Sequence, residues 1–254
     1  MTIRSMLQAT VDAHGSRVAL RFKRDGAWHP ITYSELLART RCVSEMLSHG
    51  GVHPGDRVGM FMENTPEWPE IYLGIVSIGA IAVPIDAKLH EREVAHILAD
   101  SRCVSVFCSA RCGAVLREVA VDQESLHLVI LVGDRHLTPE STRRTRYLDY
   151  EDAGAHVRET AGEHRAAFDR HAPHADGIAS ILYTSGTTGR SKGAMLTHDH
   201  FCANVRQCAG AFSVSPDDRF LLVLPLHHAF AFTTNLLLPL SVGAEISFVE
   251  SLKT

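Results

Sequence analysis

The period of the apolar positions changes several times along the chain, and each change marks an element. Near the start, "RVALRF" and "AWHPIT" are extended runs flanking Lys23-Arg24-Asp25-Gly26, with a short helix before them. Asp-Gly between two such runs predicts a β-hairpin. Thr32, followed three residues later by Glu35, forms a capping box that opens a helix through "YSELLARTRCVSEMLSH". Leu36, Thr40, Val43 and Leu47 recur at helical spacing as its inward stripe, and Gly50-Gly51 ends it.

From there short apolar strands alternate with helices. "DRVGMFM", "AVPID", "CVSVFCS" and "HLVILVG" read as strands, separated by a helix opening at Thr65-Pro66, by "EREVAHILADS" and by "CGAVLREVAV". This alternation predicts a mostly parallel sheet covered by helices on both faces, an α/β fold. The longest apolar stretch, Ile71 to Ile85, is shorter than the roughly 18 residues a membrane span needs, and reads as a buried helix followed by a buried strand. Residues Asp134 to Asp176 are charged and weakly periodic, and are expected to form a partly helical connection. "GIASILYT" then resumes a strand, "HFCANVRQCAGAF" a helix, and "DRFLLVLP" and "EISFVE" two more strands around the apolar "FAFTTNLLLPLSVGA".

Composition narrows the function. The 254 residues are 45% hydrophobic and 21% charged with a net charge of −4, so nothing points to nucleic acid or an anionic membrane as partner. The opening "MTIRSMLQATVDAHG" lacks the basic and apolar regions of a secretory signal, and six scattered cysteines fit a reduced, cytoplasmic protein. Cys103, Cys108 and Cys112 lack a C-x-x-C pair, and the sixteen histidines include no H-E-x-x-H helix, so no metal motif stands out.

The segment "ILYTSGTTGRSKGAMLTH", Ile181 to His198, carries the densest candidate chemistry. It fits neither G-x-x-x-x-G-K-[ST] nor G-x-G-x-x-G. A polyphosphate needs backbone N–H groups turned to one side, hydroxyl donors and a reachable cation. Gly186, Gly189 and Gly193, with Thr184, Ser185, Thr187, Thr188 and Lys192, supply all three. Following a buried strand, they would stand at the carboxyl edge of a sheet, where open α/β sheets bind ligands. A plain Gly/Thr/Ser turn that binds nothing is the alternative on these grounds.

"YTSGTTGRSKG" closely resembles the signature loop of the ANL superfamily of adenylate-forming enzymes: acyl-CoA synthetases, peptide-synthetase adenylation domains and firefly-type luciferases. "YLGIVSIGAIAVPIDAKLHEREVAHIL", "MLTHDHFCANVRQ" and "LPLHHAFAF" are similar to further family segments in the same order, covering the chain from about Asp56 onward. Ser191 stands where the family usually has proline, and Ala87 replaces another proline. The resemblance implies an ANL-type amino-terminal region. About Gly51 to Phe212 would be a first α/β subdomain containing the phosphate loop, with 1–50 and 213–254 as parts of an incomplete second.

It also implies chemistry. Family members activate a carboxylate with ATP as an acyl-adenylate, releasing pyrophosphate. Thr184, Ser185, Gly186, Thr187, Thr188, Gly189 and Lys192 would hold the phosphates, and Thr184 would contribute to Mg²⁺ binding. His228 matches the position beside the reacting carboxylate, and His227 takes the place of an aromatic residue. "LPLHHAFAFTTNLLLPL" contains no acid to pair with a substrate amine, which favours a plain carboxylic acid, and its apolar surroundings suggest a fatty or other hydrophobic one. Coenzyme A is the expected acceptor, a carrier protein or luciferase-like oxidation the alternatives. The family's later adenine, ribose and hinge motifs and its small carboxyl-terminal domain are not found, so the chain is expected to be the front half of such a synthetase. A non-catalytic nucleotide- or acyl-binding module is the competing reading.

Overall fold

A computed structural model describes residues 1–133, 141–160, 167–184 and 190–249. Helix α1 (Ile3–His14) leads into the hairpin of β1 (Val18–Arg24) and β2 (Ala27–Thr32). Its turn holds Asp25 at φ 51° and Gly26 at φ 78°, the paired left-handed conformation that makes Asp-Gly a hairpin signal. Thr32 and Glu35 exchange both hydrogen bonds of the capping box at the start of α2 (Tyr33–His49), whose stripe of Leu36, Thr40, Val43 and Leu47 is fully buried.

The alternating region follows as β3 (Arg57–Phe61), α3 (Glu67–Ser77), β4 (Ile81–Ile85), α4 (Glu91–Ser101), β5 (Ser105–Ser109), α5 (Gly113–Ala120) and β6 (Leu128–Val132). Next come β7 (Arg146–Asp149), α6 (Tyr150–Glu159), α7 (Ala167–Arg170), β8 (Ile178–Thr184), β9 (Lys192–Thr197) and α8 (His198–Ala211). The described chain closes with β10 (Arg219–Leu222), α9 (Ala229–Phe232), α10 (Leu238–Val242) and β11 (Glu245–Phe248). A π-helical turn, Thr233–Leu237, joins α9 to α10.

Two sheets organise these strands. The larger has the order β7-β6-β5-β3-β4-β8-β9, parallel throughout except for β9, which runs antiparallel to β8. The smaller, β10-β11-β1-β2, draws on both ends of the chain. One face of the large sheet packs Phe61, Val83, Val106 and Val129 against Val94, Leu98 and Leu116 of α4 and α5. The other packs Val58, Met60, Phe107 and Ile130 against α2, α3 and α6. That second core continues without a break to Leu20, Ile246 and Phe248 of the small sheet. The mostly parallel, doubly covered sheet is therefore as the sequence predicts.

Two strands depart from the sequence reading. The charged connection contains β7, a parallel edge strand, and "KGAMLT" is β9, an antiparallel edge strand. Both are edges with exposed or half-buried positions, so neither carries the apolar run that marks the central strands.

Helices α2 and α3 approach closely at Gly74: a Cβ there would lie 2.5 Å from Val43 Cγ1 and 3.0 Å from the Thr40 carbonyl oxygen. On the same helix Trp68 stacks on Tyr72, with centroids 5.5 Å apart and planes 3° from parallel. Phe232 of α9 lies 4.5 Å from Tyr72 and 5.9 Å from Trp68, and Phe201 of α8 lies 5.2 Å from Phe232. This aromatic group fastens the 229–242 segment to the large sheet's helical layer.

Glu70, also on α3, is buried between α2 and α6. Its Oε1 accepts a 2.6 Å hydrogen bond from the Tyr150 hydroxyl, while Oε2 has no hydrogen-bond partner and lies 3.6 Å from Arg39 Nη1. Burial outweighs both neighbours and pushes the carboxyl up to about 7. A carboxyl raised in the folded state costs nothing below about pH 4.5, where both states are protonated, and progressively destabilises as pH rises towards 7. Glu70→Gln keeps the acceptor for Tyr150, so it should stabilise the protein at pH 8 by up to about 3 kcal/mol and change little at pH 4. Denaturant midpoints at the two pH values measure this; a loss at pH 8 would mean that Arg39 holds the ionised form.

Burial also pushes the Cys103 thiol up to about 12, the Cys108 thiol well above its ordinary range and the Cys112 thiol upward, which leaves all three poor nucleophiles. Among the described residues, no group of three His, Cys, Asp or Glu side chains could hold a metal, and no helix is long and apolar enough to cross a membrane.

Candidate active site

Parallel strands put all their carboxyl ends on one edge, and the candidate residues collect there. Asn64 follows β3, Asp86 follows β4, and Thr184 ends β8. Strands β4 and β8 are neighbours, with Ala82 opposite Ser180. Thr184 pairs with Lys192, the first residue of β9, so both ends of the candidate phosphate loop stand side by side. Both are exposed, and Lys192 forms no ion pair among the described residues. Ser185, Gly186, Thr187, Thr188 and Gly189 lie outside the described residues.

Helix α4 grips the base of this loop from both sides. The Tyr183 hydroxyl donates to Asp100 Oδ2 at 2.6 Å, and His96 Nε2 lies 3.0 Å from the Ser191 carbonyl oxygen. The His96 and Tyr183 rings meet edge to face at 6.4 Å. Burial, and then the bond to Asp100, push the Tyr183 phenol above its ordinary range, so it remains a donor. Gly193 lies opposite Tyr183 in the ladder, and a Cβ there would come within 2.5 Å of Ile181 Cγ2 and 3.1 Å of Tyr183 Cζ. Glycine at 193 thus lets these two side chains cover the start of β9.

The histidine pair reaches the same edge from the 213–249 part of the chain. His227 Nε2 lies 3.5 Å from Asp86 Oδ2 without forming a hydrogen bond, and the His227 and His228 rings are 4.1 Å apart at 51°. Burial lowers the His227 pKa; Asp86 opposes that shift, and His228 and Lys88 add to it. His228 is exposed at the amino end of α9. Its main-chain N–H donates to the Pro225 carbonyl at 3.2 Å, and its own carbonyl accepts from Phe232 N–H at 2.9 Å. Asp86 therefore links the histidine pair to the strand beside β8. A cleft of about 440 Å³ opens at the opposite, amino edge, beside Ile81, Ile178 and His198, and holds none of these residues.

Sequence reasoning singled out Thr184, Lys192 and His228 but missed Asn64, Asp86, His96 and Asp100, whose partners are 83 to 162 residues away. Only a buried strand ending in a polar residue hinted at Asp86.

The family profile described as "AMP-binding enzyme" matches residues 7–254. The chain belongs to the AMP-binding family. This places it in the ANL superfamily anticipated from the loop. Among curated relatives, the crotonobetaine/carnitine–CoA ligase of Citrobacter koseri is 27% identical over 251 residues, covering 98% of this chain and 46% of the relative. A long-chain-fatty-acid–CoA ligase of Salmonella typhimurium is 30% identical over 231 residues, covering 85% of this chain and 41% of the relative. A crystal structure of ATP-bound MatB from Rhodopseudomonas palustris superposes with a TM-score of 0.79 at 27% identity, covering 98% of this chain and 45% of MatB. The chain thus spans about half the length of the relatives it matches.

Proposed function

We propose that the protein to which this chain belongs activates a carboxylic acid with ATP and passes the acyl group to coenzyme A. The substrate carboxylate oxygen attacks the ATP α-phosphorus, forming an acyl-adenylate as pyrophosphate leaves. The coenzyme A thiolate then attacks the acyl carbon, forming a thioester as AMP leaves. The reading is carried by the placement of Thr184 and Lys192 side by side at the carboxyl edge of a parallel sheet, exposed at the two ends of a Gly/Thr/Ser loop. Membership of the AMP-binding family and the ligase names of its relatives support it.

In this reading Thr184, Ser185, Gly186, Thr187, Thr188, Gly189 and Lys192 hold the β- and γ-phosphates. Lys192 supplies a cation with no competing ion pair among the described residues, and the hydroxyls and amides supply donors for charge that grows on the leaving pyrophosphate. The exposed Thr184 hydroxyl fits a Mg²⁺ ion, which when bound would neutralise part of that charge. His228 orients the acid by donating to a carboxylate oxygen. Residues 51–212 form the first subdomain, and 1–50 with 213–254 contribute to a second. A fatty or other hydrophobic acid is the substrate class, consistent with the apolar 229–240 segment.

The test is AMP release by the full-length protein against a panel of acids, with and without coenzyme A. AMP that forms only with a matching acid and coenzyme A supports the reading; acid-independent hydrolysis, or no AMP with any acid, rejects it. His228→Ala should lower kcat/KM for the acid about tenfold or more while the KM for ATP moves less than twofold, and equal losses for both substrates would remove His228 from the acid site.

A further inference from the structure

The segment that carries the histidine pair leaves β10 at Leu222 and reaches α9 at Ala229 without joining either sheet. Its main chain is held by a side chain 160 residues away. Asn64 Nδ2 donates to the Leu224 carbonyl oxygen at 2.9 Å, and Leu226 N–H donates to Asn64 Oδ1 at 2.9 Å. One donor and one acceptor of a single amide thus meet the acceptor and donor of alternate residues, much as a neighbouring strand would. The amide orientation is fixed by this pattern, because exchanging its oxygen and nitrogen would set N–H against N–H and oxygen against oxygen. Aspartate, leucine or serine at 64 could not make both bonds.

The two bonds bracket Pro225, whose carbonyl accepts the His228 main-chain N–H. Asn64 therefore sets the turn that sets His228, while Asp86 faces the adjacent His227 from the end of β4. The anchors stand just beyond β3 and β4, adjacent strands of the large sheet, and β4 also adjoins β8 and its loop.

We propose that Asn64 is a positioning residue: its amide joins the acid-binding segment to the sheet edge that carries the phosphate loop, so that His228 meets the carboxylate in register with the nucleotide. This rests on the reading of His228 given above. Displacing a reacting group by about an ångström can slow a reaction on the order of a hundredfold, so loss of this staple should be visible in the chemistry rather than only in stability.

The experiment is a double-mutant cycle in the full-length protein, measured by acid-dependent exchange of pyrophosphate into ATP. Asn64→Ala should lower kcat/KM for the acid about ten- to a hundredfold, with the KM for ATP changed less than about twofold. Combined with His228→Ala, it should cost little beyond His228→Ala alone, because both changes disable one device. Should the alanine variant not fold, Asn64→Asp takes its place; it keeps the size and the acceptor for Leu226 but sets an oxygen against the Leu224 carbonyl, and the same results are expected. Wild-type kinetics in the Asn64 variant, losses shared equally by acid and ATP, or losses that multiply with those of His228→Ala would each overturn the proposal. The single variant His228→Ala separates the two levels: if it is itself without effect, the reading of His228 fails; if it is impaired while the Asn64 variant is not, only the staple fails.

Discussion

Phe232→Ala should lower the unfolding free energy by about 3–5 kcal/mol, the usual cost of emptying a buried aromatic site. Phe232 is 2% exposed and sits among Trp68, Tyr72 and Phe201, so three rings from two other helices lose a partner at once. Neither Trp68 nor Tyr72 can readily turn to fill the gap. Their planes are stacked within 3°, and the Tyr72 hydroxyl is tied to Ser180 Oγ at 2.7 Å. The main-chain bond from Phe232 N–H to the His228 carbonyl is kept by alanine, so the loss reports on the ring contacts alone. Denaturant unfolding provides the measurement. A change under 1 kcal/mol would show that the aromatic group does not fasten α9 to α3.

Lys192→Ala and Thr184→Ala should each slow formation of the acyl-adenylate about a hundredfold, which corresponds to roughly 3 kcal/mol of lost transition-state stabilisation. Neither residue is used to hold the fold. Both are exposed at the mouth of the β8–β9 hairpin, and the base of that hairpin is secured instead by Tyr183 to Asp100 and by Ser191 to His96. The variants should therefore unfold at nearly the wild-type temperature while losing activity. Single-turnover adenylate formation at saturating acid isolates the step, and normal rates in both variants would take the phosphates away from this hairpin.

The parts of the fold that were legible in the sequence obey local rules. Asp25-Gly26 specifies its turn because few other residues accept two successive left-handed conformations, and Thr32 with Glu35 specifies a helix start by reciprocal hydrogen bonding. The central strands β3 to β6 are apolar on both faces, which only a doubly covered sheet allows. Strands β7 and β9 escaped notice because an edge strand exposes part of its length; β9 opens with Lys192 and Gly193 and leaves Met195 in solvent. The apolar 229–242 segment reads as one block, whereas the chain breaks it into α9, a π-helical turn and α10 before Gly243 ends it at φ 85°.

The candidate site was legible only where one segment contains the chemistry. The Gly/Thr/Ser loop with Lys192 is such a segment. The contacts that hold the site together are not, since His96 and Asp100 beside the loop, and Asn64 beside the histidine segment, acquire their roles from distant residues. Asp86 shows the same limit for electrostatics. The segment from Leu224 to Leu240 contains no acid, yet the fold brings the Asp86 carboxylate within 3.5 Å of His227. The charge beside the histidine pair is thus a property of the sheet edge, not of the segment alone.

The most direct test of the central claim is a crystal structure of the full-length protein with ATP and Mg²⁺. The account predicts that the β- and γ-phosphates lie at the carboxyl ends of β8 and β4, within hydrogen-bonding distance of main-chain amides between Ser185 and Gly189 and of the Lys192 ammonium. Phosphates found in the cleft beside Ile81, Ile178 and His198, or anywhere out of reach of both Lys192 and that loop, would contradict it.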